Sequence, residues 1–295
     1  MSKVVIVTGA NGGIGKFYSK EMLKRGYHVV LACRNKETGL IVLDEFQSEF
    51  PNASVELMII DMGNLSSIEK FAKEFKEKHK RLDVLTHNAG VYFFDKERKI
   101  STDGIELNFA VHYIGLYALT AHLFDILKNT SGSKVINMSS GEHHGNPVVV
   151  DDIQIKKDFE KYGNTTAYSR SKWATLSFSH MLGEYIKEHN LDMHALGAHP
   201  GISITGIQHK GNPTVMQKIA IWAFGTFLAG KPEDAALPLL MASTKGKSGE
   251  YYGPTGFKEM KGKPGIVQPD ETTKDEVIGK IIWDTAEQLT GISFH

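Results

Sequence analysis

The chain has 295 residues, enough for one large domain or two small ones, and its 41% hydrophobic and 23% charged content suits a globular protein with a sizeable core. Lysine plus arginine and aspartate plus glutamate each number 34, so the formal net charge is zero and no nucleic-acid-binding footprint is evident. The single cysteine, Cys33, excludes an internal disulfide and suits a reducing, cytoplasmic setting.

The opening "MSKVVIVTGA" enters a β-like run at once, so no secretory signal is expected. Apolar runs then alternate with helix-period segments. "KVVIVTG", "YHVVLAC", "SVELMIID", "RLDVLTHNAG", "SKVINMSS" and "DMHALGAHPG" read as buried strands, short and bounded by Gly, Pro, Asp or Asn. Asn35 can cap one intervening helix. Ser66 with Glu69 forms a capping-box pattern for another, followed by Ile68, Phe71, Ala72 and Phe75 at helical spacing. Repeated βα units predict an α/β fold, a doubly wound parallel sheet with helices on both faces. No internal repeat or linker divides residues 1–295, so a single domain is expected. Further on, "PEDAALPLLMAS" reads as helical despite Pro238, "GEYYG" as an edge strand, and "TTKDEVIGKIIWDTAEQLTG" as a final amphipathic helix. Such a tail can cover a pocket at the carboxyl ends of the strands. The apolar stretch 215–229 is interrupted by Lys218 and too short to span a bilayer; it reads as a core helix or pocket lid within 206–235, or as a peripheral membrane contact.

The first strand runs straight into "TGANGGIG". Gly9, Gly13 and Gly15 allow a tight turn and close backbone approach to a pyrophosphate, and the helix beginning near Ile14 offers free N–H groups. Asn11 lies in the same turn. The spacing is G-x-x-x-G-x-G, not the commoner G-x-G-x-x-G. At the end of the second strand, "LACRNKE" places Arg34 where an acidic residue would bind the 2′-hydroxyl of NAD. An arginine there suits the 2′-phosphate, so NADP(H) is the expected cofactor, unless Arg34 is simply a solvated side chain. Asp61, ending the third strand, either accepts a hydrogen bond from the adenine amino group or caps the next turn. Asn88, Ala89 and Gly90 end the fourth strand, where small residues let it lie close beneath a cofactor.

"TAYSRSK" places Tyr168 four residues before Lys172, on one helical face. An adjacent ammonium lowers a phenol's pKa, which fits Tyr168 to act as general acid or base, while Lys172 can also hold the nicotinamide ribose. Ser140, in "VINMSS", can hydrogen-bond a carbonyl oxygen. "GEHHG" groups Glu142, His143 and His144, but neighbours on one loop rarely converge on an ion. No matching Cys/His cluster stands out elsewhere, so a pocket rim is expected there and no metal.

In this order, "TGANGGIG", "NAG", "NMSS", "YSRSK" and "HPGISIT" resemble the short-chain dehydrogenase/reductase family. "LACRN", "DGIELNFAVHYIGLYALT", the long stretch 141–167, "SGEYY" and "WDTAEQLTG" resemble its retinol-dehydrogenase-like and WW-domain-oxidoreductase-like branch. The resemblance implies a Rossmann-type sheet of about seven strands and an NADP-linked alcohol/carbonyl reaction. It implies that Ser140, Tyr168 and Lys172 are catalytic, and that Pro200, Gly201, Ile202 and Thr205 lie beside the nicotinamide. It further implies a lipophilic substrate of retinoid, steroid or general carbonyl class, and a homodimer formed through the fourth-strand and tyrosine-bearing helices.

Two positions depart from the family pattern. His112 stands where an asparagine usually helps hold a water in the proton relay to the lysine. Asn108, one helical turn earlier, could replace it only if the helix were shifted, and Gly115 fixes the alignment against that. His112 either supports the relay, cuts turnover, or is a packed helix residue; the alternative function is a weakly active or inactive NADP(H)-binding regulatory module. His87 replaces the first asparagine of the usual N-N-A-G, a milder change because the strand backbone is expected to carry the contacts there.

Overall fold

The computed structural model describes residues 2–93, 97–157, 159–201 and 231–294. Ile202, Thr205 and positions 206–230 of the expected lid, including the stretch 215–229, lie outside the described residues.

The apolar runs form one eight-stranded sheet in the order β3-β2-β1-β4-β5-β6-β7-β8. Its strands are β1 (Val4–Thr8), β2 (His28–Cys33), β3 (Val55–Ile59), β4 (Val84–His87), β5 (Ser133–Met138), β6 (Met193–Ala198), β7 (Tyr251–Pro254) and β8 (Pro264–Ile266). Pairing is parallel through β7 and antiparallel between β7 and β8. "GEYYG" therefore supplies a strand with neighbours on both sides, not an edge. The true edge is the three-residue β8, opened by Pro264, which sacrifices no ladder donor there.

The helices are α1 (Gly13–Lys24), α2 (Lys36–Glu49), α3 (Leu65–Lys78), α4 (Leu107–Phe109), α5 (Gly115–His122), α6 (Phe124–Lys128), α7 (Phe159–Glu188), α8 (Pro232–Lys245) and α9 (Glu276–Thr290). Asn35 caps α2, its side chain accepting from Thr38 N. Helix α3 starts two residues earlier than the capping-box pattern suggests: Asn64, not Ser66, is the cap and accepts from Ser67 N. Both side chains can cap, and Asn64 holds the extended backbone that a cap requires. Ile68, Phe71, Ala72 and Phe75 are buried as their spacing predicts. Pro238 lies inside α8, whose first helical residue is Pro232. Two apolar clusters pack on opposite faces of the sheet strands. One is built with α3, α5 and α7, the other with α1, α2 and α8.

The tail does two things. Trp173 Nε1 donates to Thr272 Oγ1, fastening the 3-10 turn Glu271–Lys274 to α7. Beyond it, α9 packs on α7 and α5, and Phe294 fills an aromatic cluster with Tyr117, Phe124, Phe178 and Trp283, centroids 4.9–6.3 Å apart. The edge-on contacts of Phe294 with Tyr117 and Phe124 add to the area they bury. Helix α9 is thus a packing element on the α5/α7 side.

Candidate active site

The glycine-rich turn lies between β1 and α1, at the carboxyl end of the sheet. Gly9 and Gly13 have φ of +68° and +50°, the left-handed region that favours glycine. At Gly15 a Cβ would sit 2.4 Å from Gly9 O and 2.5 Å from Asn88 Nδ2, so no side chain fits. Asn88 ties the turn to β4: its Nδ2 donates to Thr8 O, and its backbone N–H, like that of Ala89, donates to Thr8 Oγ1. Thr8 is fully buried and passes its own proton to Thr86 O. This threonine is a positioning residue missed in the sequence, although it is the first letter of the motif; its strand-end place beside a glycine was the available signal.

A cleft of about 380 Å³ opens over this turn. Gly9, Asn11, Gly13, Ile14, Arg34, Asp61, Asn88, Ala89 and Gly90 all line it, as the sequence suggests. Met62, Val91 and Val111, not foreseen, give it apolar walls. Arg34 is exposed at the rim and makes no ion pair among the described residues, next to Asn35 and Thr38. Asn11 Nδ2 donates to Thr38 Oγ1, linking the turn to α2. Asp61 Oδ1 accepts from Gly63 N, so it does cap the next turn, and its carboxyl still faces the cleft. A dinucleotide fits these residues: the turn's backbone is exposed at Gly12 and partly exposed at Gly13, where a pyrophosphate needs it, and Arg34 supplies a guanidinium with no ion pair among the described residues.

The second half of the site lies at the carboxyl end of β5 and on α7. Gly163 breaks the helical backbone at φ 67°, and Tyr168 follows on the regular part. Ser140 stands beside Tyr168, where its hydroxyl works against the rise that burial gives the phenol. Lys172 Nζ donates to Met138 O at 2.9 Å and lies 5.7 Å from the centre of the Tyr168 ring. Ser139 Oγ donates to Lys172 O, a second tie between the strand end and the helix. With protein groups alone, burial pushes Lys172 down to about 7 and Tyr168 up to about 12, Ser140 opposing the latter. Burial sets both directions in the chain alone, opposite to the lowering expected of an adjacent ammonium and a nicotinamide ring.

His112 sits in a π-helical turn, Ala110–Ile114, between α4 and α5. Val91 N–H donates to its Nε2 at 3.0 Å, so the ring proton is on Nδ1, which donates to Ser171 Oγ at 2.8 Å. Ser171 Oγ passes its proton to Tyr168 O. The imidazole thus bridges the loop after β4 and the tyrosine helix. The His112 carbonyl accepts from Thr175 Oγ1. Asn108 does not stand in for it: its Nδ2 is held by Glu106 Oε1, and a Cβ on Gly115 would lie 2.1 Å from Met62 O, which locks the register. His87 is buried and donates Nε2–H to Thr120 Oγ1, itself a donor to Leu116 O; burial holds its pKa at about 3.

His143 is no rim residue. It is fully buried, its Nδ1–H donating to Ser140 O and its Nε2 accepting from Asp270 N, while His144 is exposed. It holds the Ser140 loop against the tail, and burial lowers its pKa to about 4. Just past the end of β6, His199 lies 3.0 Å from Glu259 and accepts from Gly201 N. Gly201 has φ +67°, and a Cβ there would meet Met260 O at 2.4 Å. Pro200 and Gly201 are thereby held against the β7–β8 connection.

The short chain dehydrogenase model matches residues 3–150. Retinol dehydrogenase 13 of Mus musculus is 31% identical over 297 aligned residues, covering 99% of this chain and 84% of that protein. The WW domain-containing oxidoreductase of Gallus gallus is 29% identical, covering 97% of this chain and 68% of that protein. A crystal structure of an uncharacterised protein from Mycobacterium paratuberculosis superposes with a TM-score of 0.79 at 26% identity, over 99% of this chain and 95% of that one. With a glycine-rich turn under a cleft and a Ser140–Tyr168–Lys172 centre beside it, the chain belongs to the short-chain dehydrogenase family of oxidoreductases, among relatives of the retinol dehydrogenases.

Proposed function

We propose that the protein is an NADP(H)-dependent oxidoreductase acting on a lipophilic carbonyl or alcohol, with Tyr168 as its general acid and base. The observation that carries this is the grouping of Ser140 and Tyr168 with a buried Lys172 anchored on Met138 O, next to the glycine-rich cleft. Bound nicotinamide supplies the hydride in reduction and accepts it in oxidation. Ser140 holds the substrate oxygen, and Tyr168 gives that oxygen its phenolic proton, or takes one from it in reverse. A protonated Lys172 favours the phenolate form. His112 is a positioning residue: through Ser171 it fixes the backbone of Tyr168.

Support for NADP(H) over NAD(H) comes from the exposed Arg34 at the end of β2, where no carboxylate ends the strand. Support for a lipophilic substrate comes from the retinol dehydrogenase relatives, since retinol is a long apolar alcohol. Tyr168→Phe should lower turnover by roughly 10²–10⁴-fold, with NADPH binding by fluorescence nearly unchanged; wild-type turnover in that variant overturns the assignment.

One observation favours a second reading, an NADP(H)-responsive binding module without turnover. The imidazole that replaces the usual asparagine has both ring nitrogens engaged by Val91 and Ser171. A screen of NADPH oxidation across aldehydes, ketones and quinones separates the two, using wild type and His112→Asn. Turnover by the wild type supports the enzyme. Tight NADPH binding with no turnover by either protein supports the module.

A further inference from the structure

The proposed chemistry occupies the carboxyl ends of the strands. At the amino ends, on the β2–β3 side of the sheet, three metal-ligating side chains converge from distant parts of the sequence. His28 opens β2, Glu56 lies in β3, and His79 caps the C-terminus of α3. Their ligand atoms lie within 4.8 Å of one another. Both imidazoles face the same carboxylate oxygen: His28 Nε2 is 3.1 Å and His79 Nε2 2.5 Å from Glu56 Oε1.

We propose that His28, Glu56 and His79 form a Zn²⁺ site. Two imidazoles and one carboxylate are a donor set that zinc accepts in tetrahedral geometry, with the fourth position left to water. Each ligand is also oriented from outside. His28 Nδ1 bonds Ser54 Oγ at 2.6 Å, which with Nδ1 as donor leaves the Nε2 lone pair facing the cluster. The His79 ring stacks on Phe75, centroids 4.6 Å apart. Lys78 Nζ pairs with the other carboxylate oxygen, Oε2, at 3.2 Å, so a cation on Oε1 need not displace it. Tetrahedral ligands about 2.1 Å from zinc stand roughly 3.5 Å apart, so a small side-chain rotation closes the triad. The side chains are 15%, 24% and 16% exposed in the order His28, Glu56, His79, half-buried but open to solvent. On binding, His28 and His79 present bare Nε2 atoms, and any proton that either shares with Glu56 passes to solvent. The ion would join the starts of two strands to the end of α3, clamping the β3 edge of the sheet.

The test uses the full, tag-free chain stripped with a chelator, titrated with Zn²⁺ by calorimetry and with Co²⁺ by visible absorption. The expected result is one Zn²⁺ per chain at micromolar or tighter affinity, with Tm raised by Zn²⁺. A His28→Gln/His79→Gln variant should bind at least roughly tenfold more weakly and lose both the Co²⁺ bands and the Tm rise, while keeping NADPH binding. If that double variant does not fold, His79→Gln alone carries the comparison. Absence of stoichiometric binding to the wild type, or undiminished binding by the folded variant, overturns the site.

Discussion

At the glycine-rich turn the geometry depends on side chains that are missing; around Tyr168 it depends on polar side chains that are all engaged. Gly9 and Gly15 bring β1, α1 and Asn88 so close that a single methyl group would strike backbone. Around α7 the ties run through Ser139, His112, Ser171 and Lys172, each in a bond that joins the helix to another element. The first region is rigid because nothing can be added. The second is rigid because removing a member leaves a buried polar group unsatisfied. The contrast predicts that the turn fails by insertion of volume and affects cofactor binding, whereas the proposed catalytic centre fails by deletion and affects turnover, as with Tyr168→Phe above.

Gly15→Ala should have the largest effect on binding. Its Cβ must displace the Gly9 carbonyl or the Asn88 amide, and NADPH affinity should fall at least roughly hundredfold, about 3 kcal/mol of overpacking; near-wild-type affinity in a binding titration would remove the steric half of the comparison. Arg34→Ala subtracts a charge at the rim without touching packing. It should weaken NADPH roughly tenfold to a hundredfold, the span of a charge-assisted hydrogen bond, and NADH far less; equal losses would break the cofactor assignment. Lys172→Met gives a subtler signature. Burial depresses this lysine from 10.5 to about 7, so between those values the unfolded chain holds a proton that the folded chain has released. Stability of the chain without cofactor should therefore rise with pH from about 7 to 10. Above 10 the trend reverses, because the buried Tyr168 keeps its proton to about 12 while the unfolded chain loses it. The substitution should flatten the Tm-versus-pH slope between 7 and 10; an unchanged slope would show that Lys172 is not desolvated.

Much of this was legible in the sequence. Strands β1 to β6 are apolar runs bounded by Gly, Pro, Asp or Asn, and the cleft residues follow from strand ends in a parallel sheet. What stayed hidden lacked a local signature. Strand β8 is Pro-Gly-Ile, a string with no alternation. Asn64 and Ser66 can both cap, and only the backbone angle at Asn64 decides. His143 reads as a polar loop residue until Asp270, far along the chain, covers it. His28, Glu56 and His79 share no motif spacing, because adjacency of β2, β3 and α3 is a property of the sheet order. The burial of Tyr168 and Lys172 was not legible because helical spacing reports proximity and is silent on desolvation.

The π turn at Ala110–Ile114 has a consequence for evolution and engineering. It holds about one residue more than an α turn, so the two halves of this segment stand about 100° out of phase with a continuous helix. One half, beginning at Glu106, is set by the carboxylate that collects the Asn108 and Phe109 amides; the other is set by Gly115 seated on Met62 O. His112 sits at the joint between them. Deleting a residue here would restore a plain helix and turn one half away from its seat, so the segment tolerates a change of spelling better than a change of length.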